Sequence, residues 1–237
     1  MSEALEQVRR AGHEAGLTVP ILVPEADRED VATIVRDHLG RFDVLHTGDL
    51  GLARAFGDRV AVTFQGAVTN RDAMSVLAGI GVRHVRLTLP YPRLVRDLSD
   101  AGATEVQVFG SIPANFTPLC LWRTTHADGR SCDPRCVEER IAFRRGPDEL
   151  VLRAKGLMTG RLLDMTPRLA DFAAAGTLLV DAFGLSREEV SEAVDAATQG
   201  RPARTDRPRF DGPREFRDGD VFRSEPWRRR TLSRDRG

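Results

Sequence analysis

The sequence predicts an α/β protein built on a mostly parallel sheet. Three observations predict it: short β-branched runs alternate with amphipathic stretches, glycines punctuate the joins, and the order strand, helix, strand recurs along the first half of the chain. Parallel neighbours need a crossover between them, so this rhythm implies βα units. A doubly wound sheet and a (β/α) barrel both satisfy it. In either, catalytic groups belong at the carboxy ends of the strands.

The strands are expected at Thr18–Val23, Asp43–Thr47, Arg59–Phe64, His84–Leu89, Glu105–Phe109 and Thr177–Asp181. Each is a short apolar or alternating run rich in Val, Ile, Leu, Thr or Phe. The helices are expected at Arg28–Leu39, Leu50–Phe56, Asn70–Ile80, Arg93–Ala101 and Arg187–Ala197. Asp27, Asp49 and Ser186 precede helical stretches as N-caps. Gly16, Gly40, Gly81, Gly102 and Gly176 follow helical stretches, where a left-handed cap favours glycine. The rhythm stops after Gly110. Residues 111–146 show no clean periodicity and read as a long loop, a feature that is usually functional. The expected organisation is a barrel-like domain over 1–200 with that loop, and an Arg-, Pro- and Asp-rich tail over 201–237.

Composition excludes several classes. Lys+Arg and Asp+Glu both total 35, so net charge offers no attraction to nucleic acid or an anionic membrane. Lys155 is the sole lysine. Arg228–Arg230 beside Trp227 is the one stretch suited to RNA, and a short arginine run of this kind usually remains solvated. No apolar run reaches the roughly 20 residues of a membrane span. The opening MSEALEQVRRAGHEAG lacks the apolar segment of a signal peptide. A cytoplasmic protein is therefore expected.

All three cysteines, Cys120, Cys132 and Cys136, fall in the long loop. Their C-x11-C-x3-C spacing in a polar Pro/Asp/Arg context is unlike that of buried core cysteines. It suits a metal or iron–sulfur site that is one ligand short of four. His126 could complete a Cys3His zinc site. A second constellation lies at strand ends: His46 and Asp49 in HTGDLG, and Gln65 and Asn70 in FQGAVTN. These four are the candidates for a substrate pocket. Taken singly, His46 reads first as a structural histidine and Asn70 as a helix cap. The Gly48-Asp49-Leu50-Gly51 turn lacks the spacing of a phosphate-binding fingerprint. No Ser/His/Asp constellation, H-E-x-x-H or P-loop is present.

The ordered combination FDVLHTGDLGLAR, VTFQGAVTNRDAMSVLAGIGVRHVRLTL and EVQVFGSIPANFTPLC resembles the collagenase-like peptidase family of unassigned catalytic type, over about Leu17 to Leu185. The resemblance is nearest to the smaller partner of the anaerobic ubiquinone-hydroxylation pair. It implies an incomplete (β/α) TIM-like barrel lacking the first two strands. Relatives in that family carry a [4Fe–4S] cluster and act in oxygen-independent hydroxylation of tRNA or ubiquinone precursors, with prephenate implicated as hydroxyl donor. The later three cysteines of that type match Cys120, Cys132 and Cys136, and its early cysteine has no counterpart here. Other departures are Leu119 for an arginine, Pro90 for an acidic residue, and Val180-Asp181-Ala182-Phe183 for an I-E-G-R-like element.

The resemblance therefore implies an iron–sulfur protein acting in or assisting such a hydroxylation, with zinc as the alternative metal. A non-catalytic binding module that has lost the cluster is the other reading. Peptidase activity ranks lowest, because no nucleophile–base pair is visible. Open barrel edges imply a partner subunit or an oligomer.

Overall fold

The computed structural model describes residues 2–87, 90–116, 141–145, 148–153 and 156–210. Helix α1 (Ser2–Arg10) opens the chain. It is followed by β1 (Gly16–Thr18), α2 (Arg28–Asp37), β2 (Val44–Thr47), α3 (Leu50–Phe56), β3 (Ala61–Gln65), α4 (Arg71–Gly79), β4 (Val82–Leu87), α5 (Pro92–Ser99) and the long strand β5 (Ala103–Phe116). Strands β6 (Ile141–Arg145), β7 (Asp148–Arg153) and β8 (Gly156–Asp164) come next. A 3-10 segment over Thr166–Phe172, β9 (Thr177–Val180), α6 (Arg187–Gln199) and β10 (Arg209–Phe210) complete the described chain.

Strands β1 to β5 lie side by side in sequence order, all parallel. The first half of β5 also pairs in parallel with β9, and its second half pairs antiparallel with β8. Among the described residues β1 pairs only with β2 and β9 only with β5, so the parallel sheet is open and does not close into a barrel. One cleft is nonetheless lined from both of these edge strands, by Thr18 and by Leu179. The sheet is thus curled into a half-barrel.

The alternation of strand residues explains which side is covered. Leu45, Val62, Val85, Val106 and Val108 are buried in one core with Val35, Leu52, Phe56, Met74, Leu77, Val95 and Leu98 of the helices. Their neighbours in sequence, His46, Thr63, Arg86, Glu105 and Gln107, take the opposite, concave face. The helix starts follow local chemistry. Asp49 Oδ1 accepts from Leu52 N at 2.9 Å, and Asn70 Oδ1 accepts from Ala73 N at 2.8 Å. Ser186 and Glu189 form a reciprocal capping box. Asp27 makes no side-chain cap bond, because it closes a 3-10 turn over Glu25–Asp27 that runs straight into α2.

Two sequence expectations are corrected. The expected strand Thr18–Val23 is displaced: β1 spans Gly16–Thr18 and shares only Thr18 with it, and Pro20, which has no N–H, keeps the ladder from continuing. The segment 111–146 is not one loop. Its first six residues are the second half of β5, and its end holds β6. Strands β7 and β8, which had no counterpart among the expected strands, complete an antiparallel wall with them. The cysteines and His126 lie outside the described residues, as do residues 211–237.

Asp164 ties the last described segment to this wall. Its carboxylate is buried and accepts from Thr166 N and Oγ1, Ala203 N at 3.1 Å and Arg209 Nη1 at 2.8 Å. Glu192 supports the same segment from α6. Hydrogen bonds from Arg201 and then from the Arg204 N–H pull its carboxyl down to about 2. Asp164→Ala leaves a buried arginine-linked network without its acceptor. We expect a loss of about 3 kcal/mol and a melting temperature lower by about 6–12 °C, measured by thermal denaturation.

Candidate functional site

The concave face of a closed (β/α) barrel is normally filled with branched apolar side chains. Here it carries His46 from β2, Thr63 and Gln65 from β3, His84 and Arg86 from β4, and Glu105 and Gln107 from β5. Register decides which of them meet. Arg86 lies beside Glu105 on the next strand and beside Gln65 on the previous one. Its Nε donates to Glu105 Oε1 in a short ion pair. Its Nη2 reaches back across β3 and donates to His46 Nδ1 at 3.2 Å. Nδ1 must then be the unprotonated nitrogen, which assigns the proton to Nε2.

The pair is well removed from water: the Glu105 side chain is 8% exposed and that of Arg86 23%. Burial holds the His46 pKa below the ordinary 6.5. The Arg86 charge pushes the same way, Glu105 opposes it, and His84 adds a further lowering. His46 is accordingly neutral at physiological pH. Its ring fits because Gly16 stands opposite: a Cβ there would lie 2.8 Å from His46 Nε2.

A cleft of about 720 Å³ opens above this network, at the carboxy ends of the strands. His46, Gln65, Arg86 and Gln107 line it, with Ile21, Leu22, Met158, Leu179 and Asp181 around them. Pro113 and Met158 come from the antiparallel extension of β5 and β8, which therefore forms one wall. Gly110 permits this extension. It adopts φ +113°, and a Cβ would strike Asp181 O at 2.5 Å, so a side chain is excluded where β5 passes the end of β9.

Gln107 Nε2 donates to Ser111 O at 3.0 Å and to Phe109 O at 3.3 Å. Gln65 has no such partner. Its Nε2 is buried without a hydrogen bond among the described residues, as is Thr104 Oγ1, which is absent from the cleft lining. A smaller cavity of about 470 Å³ lies at the opposite strand ends, between Glu14, Asp43, Asp58, Arg83 and His84.

Of the four pocket candidates read from sequence, His46 and Gln65 line the cleft. Asp49 caps α3 and is paired with Arg28 at 3.3 Å, and Asn70 caps α4; neither is in the lining. Sequence reasoning missed Arg86, Glu105 and Gln107. Their signal was present as polar residues at alternate positions, His84-x-Arg86 and Glu105-x-Gln107, inside otherwise apolar strands. Among the described residues no group of three or more His, Cys, Asp or Glu side chains could hold a metal ion. No helix among them is long and apolar enough to cross a membrane.

A likeness to known proteins exists at the level of chain path. One solved structure that resembles this chain is that of the U32 peptidase Mk0906, at TM-score 0.43 and 12% sequence identity, over 65% of this chain and 69% of that one. No family model matches the chain, and no curated protein matches it. The chemistry of the cleft therefore rests on its own residues.

The lowered His46 pKa has a direct consequence for stability. The unfolded chain takes up this proton near pH 6.5, while the folded protein resists it to lower pH. The contribution of neutral His46 is thus complete above pH 6.5 and is lost as pH falls below it. His46→Gln should flatten the slope of stability against pH in that window, read from denaturant unfolding across a pH series.

Proposed function

We propose that this protein is a small-molecule-binding half-barrel whose ligand occupies the cleft at the carboxy ends of the strands. The observation that supports it best is the composition of that cleft: a cavity of about 720 Å³, mostly apolar walls, a few converging polar groups and one buried amide without a partner. This is the anatomy of a small-molecule site. The described groups favour binding over acid–base or nucleophilic catalysis. His46 is occupied by Arg86, Arg86 by Glu105, and the threonines that flank His46 on the neighbouring strands, Thr18 and Thr63, make no hydrogen bond to it.

The finer reading, an iron–sulfur protein assisting an oxygen-independent hydroxylation, is supported by a separate observation. The segment bearing Cys120, Cys132 and Cys136 begins directly after β5, the strand whose Pro113 lines the cleft. A cluster held by those thiolates would supply redox chemistry next in sequence to a ligand pocket. Zinc held by the same cysteines and His126 is the alternative metal. The fourth cluster ligand, if a cluster is bound, comes from a partner chain or from His126.

Two measurements test these readings. Thermal-shift screening of the full chain against a panel of small metabolites should find a stabilising compound. At a hundredfold excess over Kd the gain is about 2.7 kcal/mol, or roughly 5–10 °C for a chain of this size. Ala67 is exposed at the cleft and lines it, so Ala67→Trp should abolish the shift while leaving the fold intact. A shift that survives Ala67→Trp places the ligand elsewhere. For the metal, anaerobic purification followed by iron, sulfide and zinc analysis decides. Iron and sulfide lost together in Cys132→Ser support the cluster, and metal-free wild-type protein removes it.

A further inference from the structure

We propose that Gln107 sets the specificity of the cleft: its Oε1 accepts from an O–H or N–H of the ligand, whose own oxygen accepts from Arg86, so that the group recognised is a primary amide or a hydroxyl on an apolar body. This deepens the small-molecule reading above and rests on it.

Gln107 is 7% exposed and lines the cleft. Its amide has one possible orientation. The end that meets Ser111 O and Phe109 O faces two carbonyl oxygens, which only accept, so that end is the nitrogen and both of its N–H groups are spent. The other end is therefore an oxygen. Among the described residues no group donates to it, and the buried side-chain atoms without a partner are Gln65 Nε2 and Thr104 Oγ1. Gln107 Oε1 is thus reached by solvent, and a ligand in the cleft takes the place of that solvent.

Arg86 is open in the same way. A guanidinium has five N–H groups, and two of these serve Glu105 Oε1 and His46 Nδ1. Its Nη1 has no partner among the described residues and is not one of the buried atoms, so solvent reaches it too.

Register brings the two groups together. Arg86 stands opposite Glu105, and Gln107 is the next residue on the same face of β5. A fixed acceptor and a fixed donor therefore adjoin in one cleft. A ketone or a carboxylate serves Arg86 and offers Gln107 nothing, whereas an ammonium serves Gln107 and offers Arg86 nothing. A primary amide or a hydroxyl serves both. Leu179, the β9 neighbour of Gln107, and Met158 from β8 supply the apolar contact beside them.

Ligand-observed NMR on the full chain compares benzamide with acetophenone, which has the same shape and acceptor but no donor, and with benzylamine, which has donors but no acceptor. Benzamide should bind about tenfold more tightly than either, the margin of one buried hydrogen bond made against one left open. The same margin should separate meta-carbamoylbenzoate from meta-acetylbenzoate, because a carboxylate elsewhere on the ligand does not answer Gln107. Gln107→Met should erase the margin over acetophenone, and Gln65→Met should keep it. Because Gln107→Met also loses two bonds within β5, isotope-labelled wild type is measured beside it: benzamide should move the Gln107 side-chain amide cross-peak, and acetophenone should move it less. Equal binding of benzamide and either control, a margin that survives Gln107→Met or vanishes in Gln65→Met, or an unmoved cross-peak would overturn the Gln107 inference while leaving the pocket reading in place. Failure of every probe to bind wild type more tightly than Ala67→Trp would sink both.

Discussion

Arg86 places a permanent cation on the inner face of the sheet, and much of the interior follows from neutralising it there. The guanidinium cannot be deprotonated, and its stem holds it between β2 and β5. Glu105, directly across the ladder, supplies the counter-charge, and His46 supplies a lone pair on the far side. The histidine must then stay neutral and fixed in one tautomer. Gly16 on β1 leaves room for its ring. Three strands, β2, β4 and β5, are thereby linked by one polar network, on a face that a closed barrel would fill with aliphatic side chains.

That network also shapes the cleft. Because Arg86, Glu105 and His46 satisfy one another, the floor of the cavity is polar yet close to electrically balanced. The polar group left without a partner is the Gln65 amide, one strand away. The walls are built by elements that are not part of the βα rhythm: the turn after β1, the antiparallel extension of β5 and β8, and the end of β9. The half-barrel supplies the floor, and the additions supply the enclosure. Asp164 and Glu192 serve that enclosure at a distance, since they bind the chain beyond α6 to β8 and keep the wall in place.

Stability and function pull in different directions at two positions. A leucine or methionine would suit position 65 better in the unliganded protein, and an aliphatic residue in place of Arg86 would avoid a buried charge. Departures of this kind from the best-packed choice concentrate where a protein handles a ligand. They are informative here because the surrounding strands are otherwise conventional, with valine and leucine toward the helices and clear caps at Asp49, Asn70 and Ser186.

The sequence by itself determined the local order: which segments are helices, which are parallel strands, and where Asp49, Asn70 and Ser186 start the helices. Those outcomes depend on side-chain period and on bonds made within three residues, so they are readable in one dimension. It also contained His46 and Gln65 as polar residues at strand ends. The strands β7 and β8 were harder to see, because Leu150, Val151 and Leu152 form a short apolar run without alternation and a hairpin wall draws its stability from its partners. Only the tertiary structure decided that Arg86 meets Glu105 and His46, that β5 continues past Gly110, and that β1 and β9 face one cleft. These depend on register between strands distant in sequence and on the curl of the whole sheet, and no local pattern encodes either.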